Sequence, residues 1–147
     1  MIHLTTANDI VLLINFFGNC ESVEGRTRIQ KDICILKYED NVPFTFDFVS
    51  NYYGPYSHSL SETIDVLIAA NLLTETIVPL PTGVKRYDYR LTEAGQKMYT
   101  ANKCSIERDF PVLKPKASEL CALTISEATI RAKQCSGIQS LTRKRAK

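Results

Sequence analysis

Grouped cations are the side chains in this sequence with the clearest chemical use. Lys85, Arg86 and Arg90 lie in one stretch, Arg26, Arg28 and Lys31 in another, and Arg143, Lys144 and Arg145 in a third. Positive groups clustered in this way can hold phosphates by charge and hydrogen bonding, which gives salt-sensitive, weakly sequence-selective contact with double-stranded DNA. Glu62 and Asp65 form the opposite kind of surface. No Arg or Lys occurs from Ser57 to Ala70, so that segment repels a phosphate backbone and suits a basic protein partner. Charge is divided along the chain as well. Residues 1–103 carry nine Lys/Arg against twelve Asp/Glu and residues 104–147 carry nine against four, so a net charge of +2 conceals an acidic body and a basic end.

Catalysis has little to build on. There is no glycine-rich phosphate loop, no H-E-x-x-H and no nucleophile elbow, and His3 and His58 stand far apart. The five cysteines, Cys20, Cys34, Cys104, Cys121 and Cys135, include no C-x-x-C pair. Their scatter predicts reduced, mostly buried thiols in a cytoplasmic protein, with no metal and no cofactor. The apolar run Ile10–Phe17 falls far short of the roughly 20 residues needed to cross a bilayer. Neither a basic leader nor a small-residue cleavage site precedes it, so no membrane association is expected.

The elements that must carry these side chains follow from periodicity and capping. Thr6 with Asp9 three residues later predicts the start of a first helix ending at Gly18 and Asn19. Thr27 is the predicted cap of a second helix, whose Ile29, Ile33 and Leu36 recur at i, i+4 and i+7. Phe44, Phe46 and Phe48 alternate with Thr45 and Asp47, the period of a short strand with one buried face. Gly54 and Pro55 then predict a turn straight into a third helix, with Leu60, Ile64, Leu67 and Ile68 inward and His58, Ser61, Glu62, Asp65 and Ala69 outward. At least one of Tyr52, Tyr53 and Tyr56 is expected in the core. Leu73–Val78 and Lys85–Leu91 read as strands joined by a Pro/Gly-rich loop, and a helix is expected from Thr92 to about Asn102.

Past Lys103 a proline-punctuated stretch predicts a connector over residues 104–116. A helix follows over 117–136, with Cys121, Ile125, Ala128, Ala132 and Cys135 in one narrow stripe, and then a basic tail over 137–147. With residues 1–103 as the principal domain, the fold class is α+β, mostly helical. The order of elements is that of a winged helix-turn-helix with a two-stranded wing and an additional C-terminal helix.

Three motifs extend this reading: Thr27-Arg28-Ile29-Gln30-Lys31, Tyr53-Gly54-Pro55-Tyr56-Ser57 and Tyr89-Arg90-Leu91-Thr92-Glu93-Ala94-Gly95. In these the chain resembles the YwgA-like winged-helix family as far as about Tyr99. More distantly it is similar to the Panacea domain of antitoxin proteins, which shares a lysine-containing helix and a Gly-Pro turn. The resemblance implies a winged-helix fold, with DNA-linked regulation or toxin neutralisation as its setting. Asp32 departs from the pattern by following Lys31 where an apolar residue is expected.

Two functions follow. In the first, the chain is a homodimeric transcriptional regulator that holds DNA through Lys85, Arg86, Arg90, Arg143, Lys144 and Arg145, with a weaker contribution from Arg26, Arg28 and Lys31. The turn residues Tyr53, Gly54, Pro55, Tyr56, Ser57 and His58 present the third helix. In the alternative, the chain is an antitoxin or adaptor that meets a protein partner through Glu62 and Asp65.

Overall fold

The first helix begins and ends as its capping residues dictate. A computed structural model describes residues 6–141, and in it α1 (Ala7–Gly18) starts at a complete capping box: Thr6 Oγ1 accepts from Asp9 N at 3.1 Å, and Asp9 Oδ2 accepts from Thr6 N at 3.0 Å. Its Leu12, Leu13, Ile14, Phe16 and Phe17 are buried, and Asn19 caps the other end. A short strand β1 (Val23–Glu24) leads to α2 (Arg26–Glu39), which buries Ile29, Ile33 and Leu36 as its periodicity requires. The helix starts earlier than expected, with Gly25 rather than Thr27 as the N-cap. The reason is tertiary: β1 pairs with a later strand, and Gly25 N donates to Tyr87 O at 2.7 Å, so the chain is extended up to Gly25 and turns there.

The phenylalanine segment is not a strand. Phe44, Phe46 and Phe48 are buried and Thr45 and Asp47 exposed, as the alternation demands, yet residues 41–48 belong to neither of the two sheets among the described residues. Their backbone is held by side chains instead. Thr45 N donates to Asp9 Oδ1 at 2.8 Å, Thr45 Oγ1 donates to Asp9 Oδ2, and Lys37 Nζ donates to Phe46 O. Asp9 therefore caps a helix and anchors a loop with one carboxylate. Burial works against its ionisation, but the hydrogen bonds from Thr45 and Thr6 outweigh that, and its pKa lies below the usual aspartate value. A depressed folded-state pKa means that the stabilisation is present above the unfolded pKa and is lost as pH falls through the folded one. Asp9→Ala is expected to cost about 2–4 kcal/mol at neutral pH. Urea unfolding of both proteins checks this, and the gap between them should narrow below about pH 4.

The tyrosine-rich bend contains strands of its own. β2 (Val49–Asn51) and β3 (Gly54–Tyr56) pair antiparallel, Ser50 opposite Pro55, with Tyr52 and Tyr53 at the tip. Pro55 thus lies in a two-stranded ribbon, where its missing N–H is tolerated, and not in the first turn of a helix. Tip geometry also explains why no tyrosine of this group reaches the core: Tyr52 and Tyr53 are 52% and 66% exposed, and Tyr56 is half-buried. α3 (His58–Ala69) follows, its N-cap Ser57 accepting from Leu60 N at 3.2 Å, with Leu60, Ile64 and Leu67 buried.

β4 (Leu73–Pro79) and β5 (Lys85–Leu91) form the expected antiparallel hairpin, in register from Leu73 opposite Leu91 to Pro79 opposite Lys85. β1 adds to β5, giving a three-stranded sheet in the order β1-β5-β4. Tyr89 and Leu73 turn into the core at 1% exposure each. Tyr87, on the same face of β5 as Tyr89, is exposed.

The C-terminal third departs from expectation. α4 (Glu93–Asp109) consumes half of the predicted connector, and the single predicted helix is two, α5 (Leu113–Cys121) and α6 (Ile125–Ser136). Thr124 and Glu127 form a second capping box, which starts a new helix where the apolar stripe alone would run on. Ile125, expected in that stripe, is consequently exposed. Ala128 and Ala132 are fully buried, as small residues at a close helix contact should be, and α6 packs chiefly on α2. Arg131 joins Glu39 at the end of α2 to Glu119 on α5, and Lys116 reaches Glu39 at 2.6 Å. Hydrogen bonds from Arg131 hold the Glu39 carboxyl down at about 2. Cys20 and Cys121 form a disulfide, Cα–Cα 6.6 Å, against the expectation that all five thiols are reduced; Cys34, Cys104 and Cys135 are free. No helix among the described residues is long and apolar enough to cross a membrane.

Candidate functional site

Two of the three motifs meet in space. Gln30, in the middle of α2, uses its amide as a strand edge would: Nε2 donates to Ser57 O at 2.8 Å while Oε1 accepts from Ser57 N at 2.7 Å. One residue on, Lys31 Nζ donates to Pro55 O at 2.7 Å. The Gln-Lys pair therefore clamps the Gly-Pro-Tyr-Ser segment and sets where α3 begins. Gly54 takes a φ of 95°, and a side chain there would approach Lys133 on α6, so glycine answers both demands.

This clamp borders a cleft of about 330 Å³ lined by Arg26, Gln30, Lys31, Asn51, Tyr53 and Tyr56. Lys31 is only 1% exposed. Burial pushes its ammonium down to about 8; the neighbouring Cys34 acts against that shift and the nearby charge of Lys133 acts with it. Asp32, the residue that departs from the motif, is fully buried with both carboxylate oxygens unpartnered. Burial raises its pKa to about 7, and Arg28 draws it partly back. A carboxyl kept neutral into the neutral range behaves nearly as the apolar residue expected at that position.

The cations proposed for phosphate contact are disposed quite differently from one another. Arg26 is bound to Asp65 at 2.5 Å, to Glu75 at 3.3 Å and to the Tyr89 hydroxyl at 2.9 Å. Arg28 donates to Leu120 O at 3.3 Å. Arg86 pairs with Asp88 at 2.9 Å and with Glu24 at 3.8 Å. Lys85 and Arg90 are exposed and have no ion-pair partner among the described residues. Arg143, Lys144 and Arg145 lie outside the described residues. On α3, His58, Glu62 and Asp65 face solvent, with His58 Nε2 at 2.9 Å from Glu62.

Sequence reasoning did not find the Gln30–Ser57 clamp or the Arg26 network. A partial signal for the first was available: the run Gln30-Lys31-Asp32 stands between Ile29 and Ile33, and once such a run is buried, as it is here, its polar groups require partners. Arg26 offered no such signal, because Asp65 and Glu75 are 39 and 49 residues away.

Together these observations define an α+β protein whose six helices carry a three-stranded antiparallel sheet and a separate two-stranded hairpin among the described residues. Over 83 residues, 56% of its length, the chain is 34% identical to the uncharacterized protein YwgA of Bacillus subtilis (strain 168). It spans 49% of that relative's length. No family model matches the chain.

Proposed function

We propose that the chain is a winged-helix domain working as a protein-interaction module, an antitoxin or adaptor that meets a basic partner through the exposed acidic face of α3. One observation carries this reading. Of the six described cations offered for phosphate contact, Arg26, Arg28, Lys31 and Arg86 are already held by Asp65, the Leu120 carbonyl, the Pro55 carbonyl and Asp88. A group occupied within its own fold must break that contact before it can neutralise a phosphate; by the same measure Asp65 is engaged by Arg26, and Glu62 is the carboxylate that α3 leaves to a partner. α3 itself would be the helix presented to a groove, yet it offers Glu62 and no Lys or Arg. Opposed potentials speed and orient association with a cationic surface.

The second reading is a homodimeric DNA-binding regulator, favoured by the unpaired, exposed Lys85 and Arg90 on β5 and by the +5 balance of residues 104–147. A paired experiment separates the two. Glu62→Lys with Asp65→Lys is expected to weaken capture of a basic protein partner at least about tenfold and leave DNA affinity unchanged or raised. Lys85→Glu with Arg90→Glu is expected to leave partner capture intact. Tight duplex binding at low salt that the second pair of changes abolishes would replace the first reading with the regulator.

A further inference from the structure

We propose that the cleft between α2, the β2–β3 hairpin and the first turns of α3 binds a small aromatic anion, a carboxylate or phosphate carried on a flat ring, with Lys31 supplying charge and Tyr53 and Tyr56 the ring platform. This inference is independent of which macromolecule the chain binds.

A charge imbalance marks this cleft. The Lys31 ammonium is buried, has three protons to place and donates to a single acceptor among the described residues, the Pro55 carbonyl. No carboxylate lies within ion-pair distance of it among the described residues, and the neighbouring charge from α6 is another ammonium, that of Lys133. Two ammonium groups thus flank the Gly54-Pro55 segment with no carboxylate paired to either among the described residues, and the nearby Cys34 thiol is kept protonated by its hydrogen bond with Cys135 and by burial, whereas buried charges elsewhere in proteins are paired. Arg26, also at the cleft, is already balanced by Asp65 and Glu75, so it offers donors and no spare charge. Asn51 and Ser61 add small polar groups to the lining.

The walls argue for a ring. Tyr53 stands 66% exposed at a hairpin tip, where a large aromatic side chain gains nothing from the core, and Tyr56 is half-buried beside it. Aromatic faces stack on flat ligands and present hydroxyls at their edges. A cleft of about 330 Å³ lies at the small end of ligand sites, enough for one ring and one charged head.

Isothermal titration of the full chain tests the proposal with benzoate and phenyl phosphate as probes, benzamide as the uncharged counterpart of benzoate, and inorganic phosphate as the head without a ring. At least one aromatic anion should bind below about 1 mM, with benzamide or inorganic phosphate at least about tenfold weaker than its charged or ring-bearing counterpart. Lys31→Met should reduce affinity about tenfold and Tyr53→Ala about threefold. Because Lys31 also braces the Pro55 carbonyl, circular dichroism must show that Lys31→Met is folded; if it is not, Tyr53→Ala, at an exposed tip, decides with the probe series. No heat from either aromatic anion at about 10 mM overturns the proposal. So does, for whichever aromatic anion binds, equal affinity of its counterpart lacking the charge or the ring, or unchanged affinity in the folded variants.

Discussion

Opening the Cys20–Cys121 disulfide is expected to lower the free energy of unfolding by about 3–5 kcal/mol, the largest effect of any single bond in the molecule. The two cysteines are 101 residues apart, and a cross-link that closes so long a loop removes much of the freedom of the unfolded chain while changing little in the folded one. It also ties the end of α5 to the turn after α1, so that loss of the bond loosens the C-terminal helices first. Urea unfolding with and without a reductant measures the effect, and Cys20→Ser with Cys121→Ser should reproduce the reduced midpoint. Thiol titration of the unfolded, unreduced protein should find three reactive groups, Cys34, Cys104 and Cys135. Coincident unfolding curves in the two redox conditions would show that the bond contributes nothing.

Gly95→Ala should be nearly as damaging, although Gly→Ala within an exposed helix ordinarily stabilises by about 1 kcal/mol. A Cβ built on Gly95 would stand 2.2 Å from Leu72 O, a backbone atom that cannot rotate away. That oxygen also accepts from Thr92 N at 3.1 Å, while Thr92 Oγ1 donates to Asn71 O at 2.6 Å and caps α4 by accepting from Gly95 N at 3.0 Å. The Leu-Thr-Glu-Ala-Gly motif is thus a joint that fastens the start of α4 to the end of α3. Forcing it apart should cost about 2–4 kcal/mol, against less than about 0.5 kcal/mol for Gln96→Ala at the neighbouring exposed position. Thermal unfolding of the two variants gives the comparison, and its sign is decisive, since propensity and packing predict opposite directions for Gly95→Ala.

Both residues were conspicuous in the sequence for reasons other than the ones that make them matter. Gly95 belonged to a recognisable motif, but the motif did not say that Leu72 O occupies the space of a side chain. Cys121 fell in a helical stripe and was expected to pack as a small apolar residue, and nothing near it in sequence pointed to Cys20. The phenylalanine segment is the instructive intermediate case. Alternation correctly placed three rings inside, because burial depends on which way successive side chains point. Whether the backbone then joins a sheet depends on whether a partner edge is in reach, and here Asp9 and Lys37 took its hydrogen bonds instead.

The candidate site divides along the same line. That tyrosines cluster around a Gly-Pro pair was legible, but Lys31 read as one more cation on the wet face of α2, and only the fold shows it buried. That they line one cleft was not. Equally, the cations that made phosphate binding attractive were counted correctly, yet four of the six described are engaged, Arg86 by its near neighbour Asp88 and the other three by distant groups that a count of charges cannot place.

What the sequence determined alone is therefore governed by neighbours a few residues away: the capping box at Thr6 and Asp9, the apolar faces of α1 and α3, and the two strands of the β4–β5 hairpin, whereas α2, expected to keep Lys31 on a wet face, is buried continuously from Ile29 to Leu36. Caps and helical stripes act over three or four residues, and a short connection limits how two strands can meet, so the chain carries those instructions wherever it goes. Tertiary structure alone decided the start of α2, the disulfide, the partners of Arg26 and Arg28, and the clamp of Gln30 and Lys31 on residues 55–57. Those contacts join groups 24 to 101 residues apart. Only the folded core brings such groups within reach, by holding α2 between the hairpin and the C-terminal helices.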